Sequence, residues 1–161
     1  LGLQVTRGAG FGLFPTPLEV VSGMISDWFG ELPATPAQYF ERLLLGNQLY
    51  PGLNQQEGFS EWEDRFCIVT SQPFIAGRNA SGLEIAAFMK ARGFTRLCEA
   101  TWFRLDDHLA IFDVGGSNLF IGESGDLVPI DVIPVVAAGP LLETLLRAHR
   151  QIHPAHPAPS V

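Results

Sequence analysis

Asp113, Asn118 and Asp131 fall within "IFDVGGSNLFIGESGDLVPID", residues 111–131, beside large apolar residues that a buried strand would otherwise continue. "NLFIG" and "LVPID" read as short strands, and "GESGD" between them reads as a loose hairpin turn. If the two strands pair, Asn118 at the start of one and Asp131 at the end of the other fall side by side, because strand ends opposite a turn meet. Asp113 lies five positions before Asn118, across "VGGS", whose two glycines allow the backbone to fold back. Neighbouring amide and carboxylate oxygens are ligands of the kind that magnesium takes together with substrate phosphates. A separate carboxylate beside them suits a base for a hydroxyl. The structural alternative is that the two aspartates cap turns and Asn118 closes an Asx-turn.

The elements that must position these residues are marked by local chemistry. Thr16-Pro17-Leu18-Glu19 and Thr35-Pro36-Ala37-Gln38 are capping boxes with Pro at the first helical position, and Ser81-Gly82-Leu83-Glu84 repeats the device without Pro. They predict helices running to about Phe29, Leu45 and Arg92, with Gly30, Gly46 and Gly93 as stops. In the second, Tyr39, Phe40, Leu43 and Leu44 recur at helical spacing and predict a core face. In the third, Ile85, Phe88 and Met89 are expected inside, and Lys90 and Arg92 outside. "RFCIVTSQPFI" predicts a strand entering a Pro-marked turn. From Thr95 onward "TRLCEATWFRL", "HLAIFDV", "NLFIG" and "LVPIDVI" predict strands, followed by a short helix, "PLLETLLRAHRQ". "RGAGFG" near the start lacks the pattern of a dinucleotide or Walker loop and reads as a flexible turn.

The 161 residues, 47% hydrophobic and 17% charged, predict one globular domain over residues 1–150, with a Pro-rich disordered tail over 151–161. The net charge of −7 and the lack of any Lys/Arg cluster argue against a nucleic-acid partner. An acidic chain still accepts nucleotide phosphates when a metal ion supplies the positive charge. Cys67 and Cys98 read as free buried thiols in a reducing, cytoplasmic setting. No apolar run reaches the roughly 18 residues of a membrane span. His149, His153 and His156 lie near the tail, where a metal site would lack supporting partners. A start at Leu1 rather than Met is expected of a fragment or a trimmed chain.

Four segments in order carry a family resemblance: "TPAQYFERLLLGNQLY", "IVTSQPFIAG", "EIAAFMKARGF" and "DVGGSNLFIGESGDLVPID". Over roughly residues 35–134 the chain resembles the kinase domains of bacterial and phage polyvalent proteins, within the protein-kinase-like superfamily. The D-x-x-x-x-N spacing, followed by Asp thirteen residues after the Asn, is similar to that of the superfamily. The resemblance implies an α+β, protein-kinase-like fold with a reduced N-terminal lobe and a compact C-lobe core. It implies ATP and magnesium as cofactors, Asp113 as the residue that orients the acceptor hydroxyl, and Asn118 and Asp131 as metal ligands. "IVTSQPFIAG" becomes the hinge, with Gln72 and Phe74 as the adenine contacts. The partners implied are a nucleotide and a hydroxyl acceptor, either a protein or a small molecule.

The chain also departs from the pattern. The Gly-rich strand pair and the phosphate-binding Lys are not recognisable in the sequence, and the chain is expected to begin too late to hold those strands. The Lys position falls near Gln4, with Arg7 as a stand-in of different geometry. Glu41 corresponds to the helix Glu that pairs with that Lys, and also reads as a solvated charge. Asp131 is followed by Val132-Ile133 rather than Phe-Gly, and Gly115 stands where a Lys often follows the catalytic Asp. Two functional expectations result: a phosphotransferase, or a catalytically silent binding module that keeps the fold. A third, with no nucleotide site at all, corresponds to the structural alternative.

Overall fold

In the computed structural model, residues 2–5, 11–17, 29–62 and 65–154 are described. Helix α1, Pro36–Leu49, begins where its capping box places it. The Gln38 backbone N–H donates to the Thr35 hydroxyl at 3.3 Å, and the Thr35 N–H donates to Gln38 Oε1 at 2.8 Å. Gly46 does not stop the helix, which continues to Leu49, and the Tyr50 N–H donates to the Gly46 carbonyl at 2.9 Å. The glycine serves packing instead, because a Cβ there would stand 2.8 Å from Asn54 Nδ2. The inward face is also rotated from the expected one: Tyr39, Leu45 and Gly46 are buried, Phe40 and Leu43 are half-buried, and Leu44 is exposed. Packing against strand β12 (Ile133–Val136) selects this face over the apolar stripe.

The first expected helix is overturned at both ends. Thr16 and Pro17 close strand β2, Leu13–Pro17, which pairs antiparallel with β3, Phe29–Pro33, in a register from Leu13↔Pro33 to Pro17↔Phe29. Residues 18–28, the body of that helix, lie outside the described residues, as do Arg7 and most of "RGAGFG". A capping box contributes only about 1 kcal/mol. Five paired positions, with Phe29 set edge-on to Phe112 at 5.2 Å, outweigh it.

An upper sheet has the order β1-β5-β4: Gly2–Val5, Arg65–Gln72 and Gln55–Trp62. Strand β5 is the expected "RFCIVTSQ" strand. Strand β4, "QQEGFSEW", carries no strand signal and forms because β5 supplies its ladder, with a bulge between Gln56 and Gly58. Residues 73–76 then cross to β6, Gly77–Asn79, which pairs with β10, Leu119–Gly122. This crossing joins the upper sheet to the lower layers.

Below it, α2 (Gly82–Ala91) begins at the Ser81 capping box and buries Ile85 and Met89. Phe88 is half-buried rather than inside, and the Arg92 guanidinium lies 3.5 Å above its ring. "TRLCEATWFRL" divides at a turn into β7 (Thr95–Arg96) and β8 (Trp102–Arg104). With β9 (Leu109–Phe112) and β12 they form a sheet of order β12-β9-β8-β7. "LVPIDVI" divides at Ile130-Asp131: β11, Leu127–Pro129, pairs with β10, whereas β12 pairs with β9. Helix α3, Gly139–Ile152, closes the described chain, and residues 155–161 lie outside it. Two buried clusters form the core, one around Trp102, Met89 and Leu119, the other around Phe103, Leu145 and Ala148. The architecture is α+β. Among the described residues no helix is long and apolar enough to cross a membrane.

Candidate functional site

Asp113 follows β9 directly and has a φ of +55°, a left-handed conformation that only a minority of non-Gly residues adopt. The loop after it closes upon itself. The Val114 N–H donates to the Ala100 carbonyl at 3.0 Å, the Asn118 N–H to the Gly115 carbonyl at 3.0 Å, and Asn118 Nδ2 to the Asp113 carbonyl at 2.8 Å. The Asn118 amide nitrogen is thereby fixed and its Oδ1 accepts from the Ser117 hydroxyl at 3.3 Å. The Asp113 side chain itself is exposed.

The hairpin β10–β11 pairs Leu119 with Pro129, and the Ile130 N–H donates to the Asn118 carbonyl at 2.8 Å. Asn118 therefore stands opposite Ile130, with Asp131 one residue further along. The offset follows from the break in the strand at Ile130-Asp131, after which the chain leaves for β12.

Asp131 has a partner that sequence spacing does not single out. Arg42 Nη2 lies 2.5 Å from Asp131 Oδ1, and Arg42 Nε donates to the Val132 carbonyl at 3.1 Å. The Arg42 side chain is 18% exposed and that of Asp131 63%. Arg42 follows Tyr39 by three positions and precedes Gly46 by four, so it shares their inward helical face. That periodicity was the available signal, obscured by the apolar stripe on the neighbouring face.

These groups border one cleft of about 500 Å³, a volume usual for a small-molecule site. Asp113, Asp131, Arg42, Gln72, Asn54 and Gly12 are among the residues that line it. Gln72 ends β5 and donates through Nε2 to Asn54 Oδ1 at 2.6 Å and to the Ile130 carbonyl at 3.3 Å. This ties the upper sheet to the segment carrying Asp131. Asn118 and Phe74 are not among the described lining residues, and Phe74, in the 73–76 crossing, is 80% exposed. Glu41 is exposed on the outer side of α1, and Gln4 is paired with Thr70 in the β1–β5 ladder.

Asp131, Asp113 and the Asn118 amide offer hard oxygen ligands, the donor type that magnesium prefers. Among the described residues no group of three or more His, Cys, Asp or Glu side chains is gathered for a metal held by protein alone. A magnesium ion that keeps waters and shares phosphate oxygens needs only one or two carboxylates, so Asp113 and Asp131 on the cleft fit it, whereas Asn118 is not among the described lining residues. The His149 and His153 rings are 5.1 Å apart, and burial, with His153 beside it, lowers the His149 pKa. His156 lies outside the described residues.

A family model described as a serine/threonine/tyrosine kinase found in polyvalent proteins matches residues 31–137. The chain belongs to this family. The match runs from β3 through β12 and so includes α1, the 73–76 crossing, the Asp113–Asn118 loop and Asp131. The resemblance expected over residues 35–134 is thus borne out by the polyvalent-protein kinase family. No curated protein and no solved structure matches the chain.

Proposed function

We propose that this kinase-family domain adopts a protein-kinase-like fold and transfers a phosphoryl group from ATP, with magnesium, to a hydroxyl acceptor. The observation that supports this reading is the convergence of Asp113 and Asp131 on one cleft from different strands, with the end of β5 at its edge. In this reading Asp113 takes up the proton of the acceptor hydroxyl, and its fixed backbone aims the carboxylate. Asn118 Oδ1 and Asp131 would hold the metal, which would supply charge neutralisation at the phosphates. Gln72 and the 73–76 crossing border the adenine, with Phe74 at the outer edge.

A second reading, a silent nucleotide-binding module, is favoured by Arg42 occupying Asp131. Nucleotide binding and transfer of labelled γ-phosphate, measured together, separate the two. Asp113→Ala is expected to abolish transfer and leave magnesium-dependent ATP binding nearly intact, whereas Asp131→Ala removes the binding itself. Equal loss of binding in both variants would show that this division of roles is wrong. Binding without transfer in the unaltered chain would select the silent module.

A further inference from the structure

We propose that Arg42 is the phosphate-binding cation of this cleft, a guanidinium delivered by helix α1 in place of a strand lysine. The inference rests on the reading of the cleft as a nucleotide site. Arg42 is the only basic side chain among the described residues that line it, and the same lining holds two carboxylates in a chain of net charge −7. A polyphosphate entering such a site meets repulsion that one divalent ion offsets only in part. A positive side chain within the cleft is what electrostatics requires, and Arg42 supplies it.

Its placement suits the task. The capped, 14-residue α1 provides a rigid base, and the stem is mostly buried. Nε is anchored on the Val132 carbonyl at 3.1 Å, which fixes the plane of the guanidinium and leaves its two terminal nitrogens toward other partners. Nη2 meets Asp131. Nη1 lies against Gly12, where an added Cβ would come within 3.1 Å, so the glycine leaves room beside the fork in the wall of the cleft. A guanidinium fork matches phosphate oxygens as it does carboxylate oxygens. Asp131 is also the proposed metal ligand, so with that carboxylate engaged by magnesium the Arg42 Nη2 donor beside it would be free for a phosphate oxygen. One pair of residues thus serves the cation and the anion of a magnesium nucleotide.

The test is binding to the 161-residue chain, with folding checked by circular dichroism. Affinities for magnesium–ADP and for adenosine, which has no phosphate, are compared between wild type, Arg42→Gln and Arg42→Lys. Arg42→Gln should weaken magnesium–ADP binding by about tenfold or more, from the loss of charged hydrogen bonds, and leave adenosine unaffected. Arg42→Lys should fall between the two. If Arg42→Gln does not fold, the Arg42 Nε–H resonance of the wild type decides, expected to shift with magnesium–ADP and not with adenosine.

Unchanged magnesium–ADP affinity in Arg42→Gln, equal weakening of ADP and adenosine, or an unmoved Nε–H signal would each overturn the role of Arg42 alone. Tighter binding in Arg42→Gln would overturn it too, and show Arg42 to be a competitor for Asp131. A wild type that binds no magnesium–ADP at millimolar concentration would overturn the nucleotide reading and this proposal together.

Discussion

A carboxylate at φ +55° is an unusual choice, because glycine occupies that conformation without steric cost. Asp113 holds it at the border of the cleft, with its side chain exposed. Substitutions that differ only in this respect separate the two contributions. Asp113→Gly should be more stable than Asp113→Ala by about 1 kcal/mol in urea unfolding, since alanine retains the Cβ that crowds a left-handed backbone. On the proposed phosphotransferase reading, both should also lose transfer. Equal stability of the two variants would mean that the loop relaxes to a negative φ. That Asp113 and Asp131 stand out was legible in the sequence, because carboxylates interrupt apolar strands there, and both border the cleft, whereas Asn118 is not among its described lining residues. Arg42 was harder to find, since helical periodicity marks only its inward face and its partner is 89 positions away.

At the scale of elements, capping boxes start α1 and α2, whereas the same signature at Thr16 lies in strand β2. A cap is a local preference worth about 1 kcal/mol, and pairing with a distant segment overrides it. Strand β4 was illegible for the converse reason, being polar and held by its neighbour. Three tests belong here. Phe88 is half-buried beneath Arg92, so Phe88→Ala should cost about 1–2 kcal/mol, less than the 3–5 of a fully enclosed ring. A loss of the full amount in chemical denaturation would place that face in the core. Gly77→Ala should be more damaging than its exposure suggests, because the new Cβ would stand 2.0 Å from the Ile121 carbonyl oxygen, itself fixed in β10. About 1–3 kcal/mol of destabilisation is expected, and a neutral result would mean that β6 does not pair with β10.

The third concerns pH. Hydrogen bonds from Arg78, and then from Ser81, hold the Glu84 carboxyl far below its usual range. A depressed folded pKa contributes stability above the unfolded value of about 4.3 that is lost as pH falls toward the folded one. Glu84→Gln should therefore lose least relative to wild type in the most acid part of that window. A difference constant from pH 7 downward would show that the carboxylate charge is not what α2 uses.

At the scale of the whole molecule, burial is divided unequally across the cleft. Both core clusters draw mainly on the lower layers, where Phe103, Ala110, Leu145 and Ala148 are wholly enclosed. The upper sheet encloses Cys67 and Ile68 in β5, but Phe59 of β4 and Phe66 of β5 stack at 5.3 Å while each remains more than half exposed. Free energy for opening a segment follows the apolar area it must surrender, so the layers should not open together. Amides of β8, β9 and α3 are expected to exchange hydrogen only through global unfolding, with one common dependence on denaturant. Amides of β4 should exchange sooner and through smaller openings, with β5 between, since its enclosed residues tie it to α1 through the Thr70–Tyr39 hydroxyl contact at 3.2 Å. Uniform protection across β4, β5 and β9 would show instead that the contacts across the cleft, Gln72 with Ile130 and Arg42 with Asp131, join the two layers into a single cooperative unit. On the proposed nucleotide reading the distinction matters, because a cleft whose upper wall opens independently would admit a ligand without unfolding the layer that carries Asp113 and Asp131.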